Sequence, residues 1–200
     1  ISVAISSVLD VDELGEEVLW RSVGILNASK GLMVVQKEGS PILNPVCNFN
    51  WDDGIPLLSR KLQIFKNIEE TNRGVIFSSE NKNSIQKKLR EENLIVVPLS
   101  AKEKTQGYMI LCNKETRIGV EPFSEMDLDL LTALCNQAAV AMDNAKLFKE
   151  ITKEKQFNES ILGSIATGVI TLDPIGEIDS INTAGLNILK MEKDDVVGNH

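Results

Sequence analysis

Residues 123–145 read FSEMDLDLLTALCNQAAVAMDNA, and this stretch decides the fold. Ser124 is a good helix N-cap, and Asp127 stands at the capping-box position, where Glu is more usual. Phe123 and Leu128 occupy the two positions of a hydrophobic staple. Apolar residues then alternate at spacings of three and four, which predicts an amphipathic helix with a seven-residue repeat. The repeat consists of Leu128, Leu131, Cys135, Ala138, Met142 and Ala145.

The predicted helix is long, because no Gly or Pro interrupts residues 124–161. At 1.5 Å per residue, such a helix spans about 50 Å, which is more than a domain of this size needs. Its first half is expected to pack one face on a sheet. Residues 146–156 are rich in Lys and Glu, which favours an exposed helix or a helix that pairs with its counterpart in a second copy.

The segments before this helix predict an α+β fold. An amphipathic helix is expected over residues 10–29, capped by Asp10 and ended by Gly31, with Leu14, Val18, Ile25 and Leu26 on one face. Hairpins alternate with helical segments, which indicates an antiparallel sheet with helices packed on it. Strands are predicted at 32–36, 42–49, 75–78, 94–99 and 107–112, and helical segments at 57–70 and around Ile85 and Leu89.

Composition excludes several classes of function. The chain has 200 residues, of which 42% are hydrophobic and 25% charged, so a packed core is expected. The net charge of −8 argues against nucleic acid as a partner. No apolar run approaches the roughly 20 residues of a membrane helix, and no signal peptide opens the chain. We therefore expect a cytoplasmic fragment without membrane contact.

Rare residues exclude further chemistry. The single histidine is His200, so a haem, a zinc triad or a histidine relay inside the fold has no imidazole. The widely spaced Cys47, Cys112 and Cys135 are expected to be core residues in a reducing compartment. A thiol-dependent reductase stays open as an alternative, and it requires Cys112 and Cys135 to come within disulfide reach. We predict no metal site and no catalytic residue.

Several motifs resemble the GAF domain. This resemblance implies a six-stranded antiparallel sheet with helices on both faces and a regulatory rather than catalytic role. It also implies a long helix that acts as a coiled-coil transmitter in a dimer. The motifs that carry it are Val97-Pro98-Leu99, residues 107–111, residues 123–127, residues 130–141 and Asn144-Ala145.

The last forty residues resemble the opening of a PAS domain. Strands are predicted at 169–172 and 177–181 and a short helix at 184–189. A chain this short rarely folds alone, so the segment is expected to be the start of a second domain. The residues that carry the resemblance are Ile161-Leu162, residues 168–170, Asp173, Gly176, Ile178, residues 182–185 and Val197-Gly198.

The two resemblances together imply a domain organisation. Residues 1–150 would form a GAF sensor domain, residues 124–160 a connecting helix that overlaps its C-terminus, and residues 161–200 a truncated PAS domain. Such modules precede a histidine kinase or a nucleotide cyclase in multidomain bacterial signalling proteins. The expected partners are a second copy of the chain, through the long helix, and an output domain in the same polypeptide.

One motif also resembles that of GAF domains that bind cyclic nucleotides. Asn113, Lys114, Phe123 and Asp127 stand at matching positions, but Leu128 replaces the final Glu. The resemblance pairs Lys114 with Asp127 beside a ligand pocket. The alternative is that Phe123 and Asp127 serve only the staple and the cap of the long helix.

A ligand pocket is expected between the sheet and the segments 50–70 and 78–92. Its candidate residues are Trp51, Phe77, Ser78 and Ser79. No cofactor is identified; the ligand is an unknown small molecule, with a cyclic nucleotide as the alternative. The bulky stretch at 57–70 points to a further possibility, in which the cavity is filled and the domain serves as a dimerising spacer.

Overall fold

The computed structural model describes residues 11–37, 39–51, 54–80, 83–102, 104–192 and 196. The chain divides into two compact units, one up to Lys146 and one from Leu147 onward. The predicted cap residue Asp10 lies outside the described residues, as do Asp52 and Asp53 of the loop beside Trp51.

The first unit is an α+β fold built on an antiparallel sheet. Six strands follow the order β3-β2-β1-β6-β5-β4, and a short seventh strand, β7, pairs with the end of β6. The predicted fold class is therefore confirmed, with β7 as an addition. The helices are α1 (Val11–Leu26), α2 (Gln63–Thr71), α3 (Ser84–Leu89) and α4 (Glu125–Ser164). The strands are β1 (Ala28–Val35), β2 (Ile42–Phe49), β3 (Leu58–Ser59), β4 (Val75–Phe77), β5 (Leu94–Ala101), β6 (Lys104–Thr116) and β7 (Gly119–Glu121).

One face of the sheet is covered by α1 and by the first half of α4. Leu131, Cys135, Ala138 and Met142 of the predicted repeat belong to the same buried cluster as Leu111 of β6. Burying these side chains removes apolar surface from water, which stabilises the fold by about 25 cal/mol for each Å² buried. The repeat therefore packs on the chain's own sheet, as expected for the first half of the long helix.

The opposite face is covered by α2 and α3. Phe65 of α2 stacks against Tyr108 of β6 with a ring-centroid distance of 4.5 Å, and both side chains are fully buried. The predicted helical stretch at 57–70 is wrong at its start. Leu58 pairs with Leu43 as a strand, and Leu62 keeps an extended ψ of 135°, so helix α2 begins only at Gln63.

Helix α1 ends earlier than the sequence predicts. Asn27 adopts a left-handed φ of 50° and turns the chain into β1, so Gly31 is a strand residue and not the helix stop. A Cβ on Gly31 would lie 2.7 Å from Val23 Cγ2, so the glycine allows α1 to approach the sheet closely. Ile25, expected on the inner face, is 52% exposed, whereas Leu19 and Val23 are buried there.

The second unit contains the end of α4, a two-stranded hairpin of β8 (Ile170–Leu172) and β9 (Ile178–Ile181), and α5 (Thr183–Leu189). Asn182 holds these parts together. Its Oδ1 accepts hydrogen bonds from the backbone of Val169 at 2.8 Å and of Gly185 at 2.9 Å. Its Nδ2 donates to the carbonyl groups of Leu162 and Thr167, each at 3.0 Å.

Helix α4 is continuous in secondary structure over 40 residues, including the region of Asn144. The predicted uninterrupted helix is therefore confirmed, and it begins one residue after the predicted cap Ser124.

Substituting Gly107 by Ala tests the central strand pairing. A Cβ at this position would lie 2.1 Å from the carbonyl oxygen of Val34, so β1 and β6 would have to separate. We expect a loss of about 2–4 kcal/mol in the free energy of unfolding. Urea denaturation followed by tryptophan fluorescence reports on this unit, because Trp20 and Trp51 both lie in it.

The matched control is Gly24→Ala. Gly24 lies within α1, and a Cβ there meets no atom within 4 Å. This substitution should stabilise the domain by about 0.5–1 kcal/mol, because alanine favours the helix. Equal midpoints for the two variants would contradict the assigned register of β1 and β6.

Candidate functional site

A cleft of about 750 Å³ lies at the edge of the face covered by α2 and α3. The loop with Trp51 forms one wall, the C-terminal end of α3 with Lys88, Arg90 and Glu91 forms another, and Lys30 of β1 lies between them. The cleft thus combines one aromatic ring with charged side chains, which suits a small polar ligand with a planar part.

The walls of the cleft are held by direct contacts. Trp51 Nε1 donates a hydrogen bond to the carbonyl oxygen of Gly31 at 3.0 Å. Lys30 Nζ lies 5.1 Å from the centroid of the Trp51 ring and 2.7 Å from Glu91 Oε1. Glu91 Oε2 accepts a hydrogen bond from Asn113 Nδ2 at 2.5 Å. These contacts fix the tryptophan and the carboxylate relative to the sheet.

The structure places the four predicted pocket residues in different environments. Trp51 lines the cleft, but the other three are not among its lining residues. Phe77 packs partly buried against the α2–α3 core. The carbonyl group of Ser78 accepts a hydrogen bond from Gln86 Nε2 at 2.9 Å, and Ser79 is exposed.

The interior between α2 and the sheet is filled by side chains. Besides Phe65, the fully buried Tyr108 reaches Glu69, whose Oε1 accepts from the Tyr108 hydroxyl at 2.8 Å. Glu69 also accepts from Gln36 Nε2 at 2.7 Å and from Arg60 Nε at 2.8 Å. Burial raises the pKa of Tyr108, and the Arg60 hydrogen bond lowers that of Glu69. The cleft beside Trp51 therefore lies at the edge of this core and not inside it.

The motif residues Asn113 and Lys114 connect two parts of the domain. Asn113, with a left-handed φ of 49°, bonds Glu91 in the cleft wall. Its neighbour Lys114 contacts the start of α4 instead, with Nζ at 2.9 and 2.8 Å from the two carboxylate oxygens of Asp127. Two successive residues of β6 thus join the cleft to the long helix.

Asp127 pairs with Lys114 and also caps α4, and neither Lys114 nor Asp127 is among the residues that line the cleft. Its Oδ2 accepts hydrogen bonds from Ser124 N at 2.7 Å and Ser124 Oγ at 2.8 Å, and Ser124 Oγ accepts from Asp127 N at 3.3 Å. This is a reciprocal capping box. Phe123 is buried in the α1–α4 cluster. The ion pair with Lys114 and the helix cap coexist on one carboxylate.

The environment of Asp127 changes its pKa. Burial acts to raise the pKa of this carboxyl, but hydrogen bonds from Lys114 and Ser124 outweigh it and hold the pKa below the ordinary 3.8. Asp127 is therefore ionised at neutral pH, and the folded state favours its charged form.

Cys112 and Cys135 lie on opposite faces of the sheet. Cys112 belongs to the core on the α2–α3 face, and Cys135 belongs to the core on the α1–α4 face. Burial raises the pKa of both thiols. A thiol-dependent reductase requires the two to meet as a nucleophilic pair, and the sheet lies between them.

Among the described residues, no group of acidic, histidine or cysteine side chains is arranged to hold a metal ion. In the same part of the chain, no helix combines the length and apolar character needed to cross a bilayer.

The comparisons with known proteins agree with this architecture. A family model for the GAF domain matches residues 10–144. The chain belongs to the GAF-domain family. Membership makes it a regulatory, non-catalytic module of the kind found in signalling proteins. No curated protein gives a significant sequence match.

Solved GAF domains share the fold at low sequence identity. The GAF domain/HD domain protein from Geobacter sulfurreducens has a TM-score of 0.60 at 15% identity, over 71% of this chain and 97% of that chain. The second GAF domain of DevS from Mycobacterium smegmatis has a TM-score of 0.58 at 16% identity, over 71% and 99%. The GAF domain from Acinetobacter phosphoenolpyruvate-protein phosphotransferase has a TM-score of 0.58 at 14% identity, over 72% and 89%. At these identities the likeness concerns the fold alone.

Substituting Asp127 by Asn tests the junction between β6 and α4. At neutral pH the variant should lose about 1–2 kcal/mol in the free energy of unfolding, because it removes the ion pair and weakens the cap. Asp127 has a lower pKa in the folded state, so its stabilisation is present above pH 3.8 and is lost as the pH falls through the folded value. The difference between the variant and the wild-type chain should therefore shrink below pH 3.8.

Glu125→Gln is the matched control, because Glu125 is an exposed acid in the same helical turn. It should change the free energy of unfolding by less than about 0.5 kcal/mol. A difference between Asp127→Asn and the wild-type chain that stays constant down to about pH 2 would show that the charge of Asp127 does not stabilise the fold.

Proposed function

We propose that this chain is the sensor part of a cytoplasmic bacterial signal-transduction protein. The GAF domain binds a small molecule or a partner at the Trp51 cleft. Helix α4 passes the change, in a homodimer, to an output domain in the same polypeptide, such as a histidine kinase or a nucleotide cyclase. The role is regulatory, and the enzymatic activity would belong to the output domain.

The observation that carries this proposal is the chain of contacts through Asn113 and Lys114. A ligand that moves Trp51 or displaces Lys30 changes the hydrogen bond between Glu91 and Asn113. The next residue in the strand, Lys114, holds the carboxylate that caps α4. A ligand shifts a conformational equilibrium only when it binds one of the two conformations more tightly than the other. Contacts that change along this path would give the ligand such a difference in affinity.

The outer half of α4 supports the proposed dimer. Leu147, Phe148, Ile151 and Phe157 are between 42% and 65% exposed. Apolar side chains of this size on one helix are typical of a surface that a partner covers. A second copy of the chain is the partner we propose.

The segment 161–200 supports a following PAS domain. The hairpin and α5 form a small unit that leaves Leu172, Ile175 and Ile188 between 62% and 70% exposed. Further strands of a PAS domain would cover such side chains. We propose that this segment, after the GAF domain of 1–150 and the connecting helix of 124–160, begins that domain.

Cyclic-nucleotide binding is the second candidate function, and the Lys114–Asp127 ion pair favours it. Against it, Leu128 stands in place of the motif's Glu, and Phe65 and Tyr108 fill the interior. We expect no shift of the unfolding midpoint with millimolar cAMP or cGMP in a thermal-shift measurement. A shift that disappears in Trp51→Ala would instead establish the nucleotide as the ligand of the cleft.

Substituting Glu91 by Ala tests the relay and separates a sensor from a spacer. Glu91 bonds both Lys30 and Asn113, so its loss should loosen β6 and the cap of α4. We expect amide hydrogen exchange in the first two turns of α4 to become roughly tenfold faster, which corresponds to about 1.4 kcal/mol.

Glu92→Ala is the control, because Glu92 is adjacent and exposed. It should leave exchange in α4 unchanged. If the two variants exchange alike, the cleft and the helix are not coupled, and the spacer alternative is favoured.

A further inference from the structure

The cleft beside Trp51 carries an excess of basic side chains. Among the described residues that line it, three are basic and one is acidic, in a chain whose net charge is −8. Asp52 and Asp53 follow Trp51 in the sequence and lie outside the described residues. A cleft lined mainly by one sign of charge concentrates ligands of the opposite sign, so its described walls favour an anion. The four charged lining residues are Lys30, Lys88, Arg90 and Glu91.

The acid of the cleft already has a partner on each of its oxygens. The Glu91 side chain is 10% exposed, with Oε1 at 2.7 Å from Lys30 Nζ and Oε2 at 2.5 Å from Asn113 Nδ2. A cationic ligand would have to displace Lys30 from this carboxylate and enter beside two further cations. An anionic ligand needs only to draw the Lys30 ammonium toward itself. The contacts of Glu91 therefore also favour an anion.

Trp51 adds a flat wall directly beside this ammonium. Its ring is held by the hydrogen bond from Nε1 to the carbonyl oxygen of Gly31, and Lys30 Nζ lies over the ring at 5.1 Å from its centroid. A planar ligand ring can stack on the same face once the ammonium moves aside. Because the ring and the ammonium lie so close together, the ligand has to present a planar part and an anionic part side by side.

We propose that the ligand of the cleft is a single planar ring that carries a carboxylate or a phosphate directly on the ring. The ring lies over Trp51 in the place of the Lys30 ammonium, and the anionic group takes this ammonium from Glu91. Lys88 and Arg90, on the α3 wall of the cleft, attract the same negative charge. The inference rests on the proposed function and names the class of ligand that its cleft takes.

The short distance between Lys30 and the Trp51 ring disfavours a ligand with a spacer between ring and charge. In a cyclic nucleotide, a ribose separates the base from the phosphate, so a base stacked on Trp51 would place its charge away from the ammonium. The proposed class therefore agrees with the absence of a thermal shift expected for cAMP and cGMP.

The charge of the ligand is also what would change the protein. After Lys30 has moved, Glu91 keeps the hydrogen bond from Asn113 but loses its ion pair. The path from the cleft to the cap of α4 thus changes at its first contact. A neutral ring has no charge with which to take the ammonium, so it would leave this contact in place.

A titration of the full chain with matched small molecules tests the proposal, with the indole N–H signal of Trp51 followed by nuclear magnetic resonance. Trp51→Phe identifies that signal, because Trp20 gives the other one. Benzoate should shift the signal with a Kd of about 1 mM or below. Benzamide has the same shape without the charge, benzamidine has the opposite charge, and cyclohexanecarboxylate has the charge without the planar ring. Each should bind at least about tenfold more weakly.

Phenyl phosphate distinguishes the two anionic groups. If it binds more tightly than benzoate, the ligand is a phosphate, and if benzoate binds more tightly, the ligand is a carboxylate. Inorganic phosphate and acetate carry the charge without a ring, so each should bind at least about tenfold more weakly than its aromatic counterpart.

Two substitutions test the role of Lys30. Lys30→Met should weaken benzoate binding about tenfold, because it removes the cation that meets the ligand. Glu91→Gln should strengthen benzoate binding about threefold, because it removes the competing charge and keeps an oxygen that can accept from Asn113. The second variant keeps the proposal testable if the first fails to fold. The matched controls are Lys87→Met and Glu92→Gln, at exposed positions that do not line the cleft, and both should leave benzoate binding unchanged.

The outcomes that overturn the proposal are distinct. Benzamide or benzamidine binding as tightly as benzoate overturns the anionic ligand, and cyclohexanecarboxylate binding as tightly overturns the planar ring. Weaker benzoate binding in Glu91→Gln overturns the displacement of Lys30.

Hydrogen exchange separates a failure of this inference from a failure of the proposed function. If no aromatic anion binds but Glu91→Ala still accelerates exchange at the start of α4, the proposed coupling stands and the ligand class is wrong. If benzoate or phenyl phosphate binds with the expected selectivity but leaves exchange in α4 unchanged, the ligand class stands and the proposed coupling is wrong.

Discussion

The carboxylate of Asp127 is the point on which the rest of the domain depends. It neutralises Lys114 at the end of the longest strand and caps the longest helix through Ser124. One side chain thus fixes where α4 starts relative to the sheet. Because a helix repeats every 3.6 residues, fixing its start also fixes which face meets the sheet. Leu131, Cys135 and Ala138 lie on that face and are buried.

Both faces of the sheet are buried, one under α1 and α4 and the other under α2 and α3. The central strands β5 and β6 are apolar without strict alternation, and Ile95, Val96, Val97, Ile110 and Leu111 are fully buried. Helices on both faces leave little room for a ligand inside. The cleft therefore lies at the rim, where the α3 C-terminus and the Trp51 loop meet β1. Glu91 in the wall of the cleft accepts a hydrogen bond from Asn113 of β6, and the next residue of that strand, Lys114, contacts the helix cap.

Prediction from sequence succeeded where the signal was local. The cap and the uninterrupted length of α4, the bounds of β2 and the hairpin of β8 and β9 all follow from neighbouring residues. It failed where distant pairing decides. Leu58 forms a strand because it pairs with Leu43, and Gly31 lies in β1, which pairs with β2 and β6, and does not end α1. Of the predicted pocket residues, Trp51 lines the cleft, whereas Lys30 and Glu91 carried no motif that could reveal them.

The sequence by itself determined most of the elements and the presence of a long helix, because caps and periodicities act over a few residues. Its motifs also carried the resemblance to the GAF domain. It also contained the apolar repeat of α4 that packs on the sheet. Tertiary structure decided how the sheet receives this helix, because the sheet exists only after distant strands have paired. It likewise decided that Asn113 and Lys114 connect different parts of the domain, because their partners are brought together only by folding.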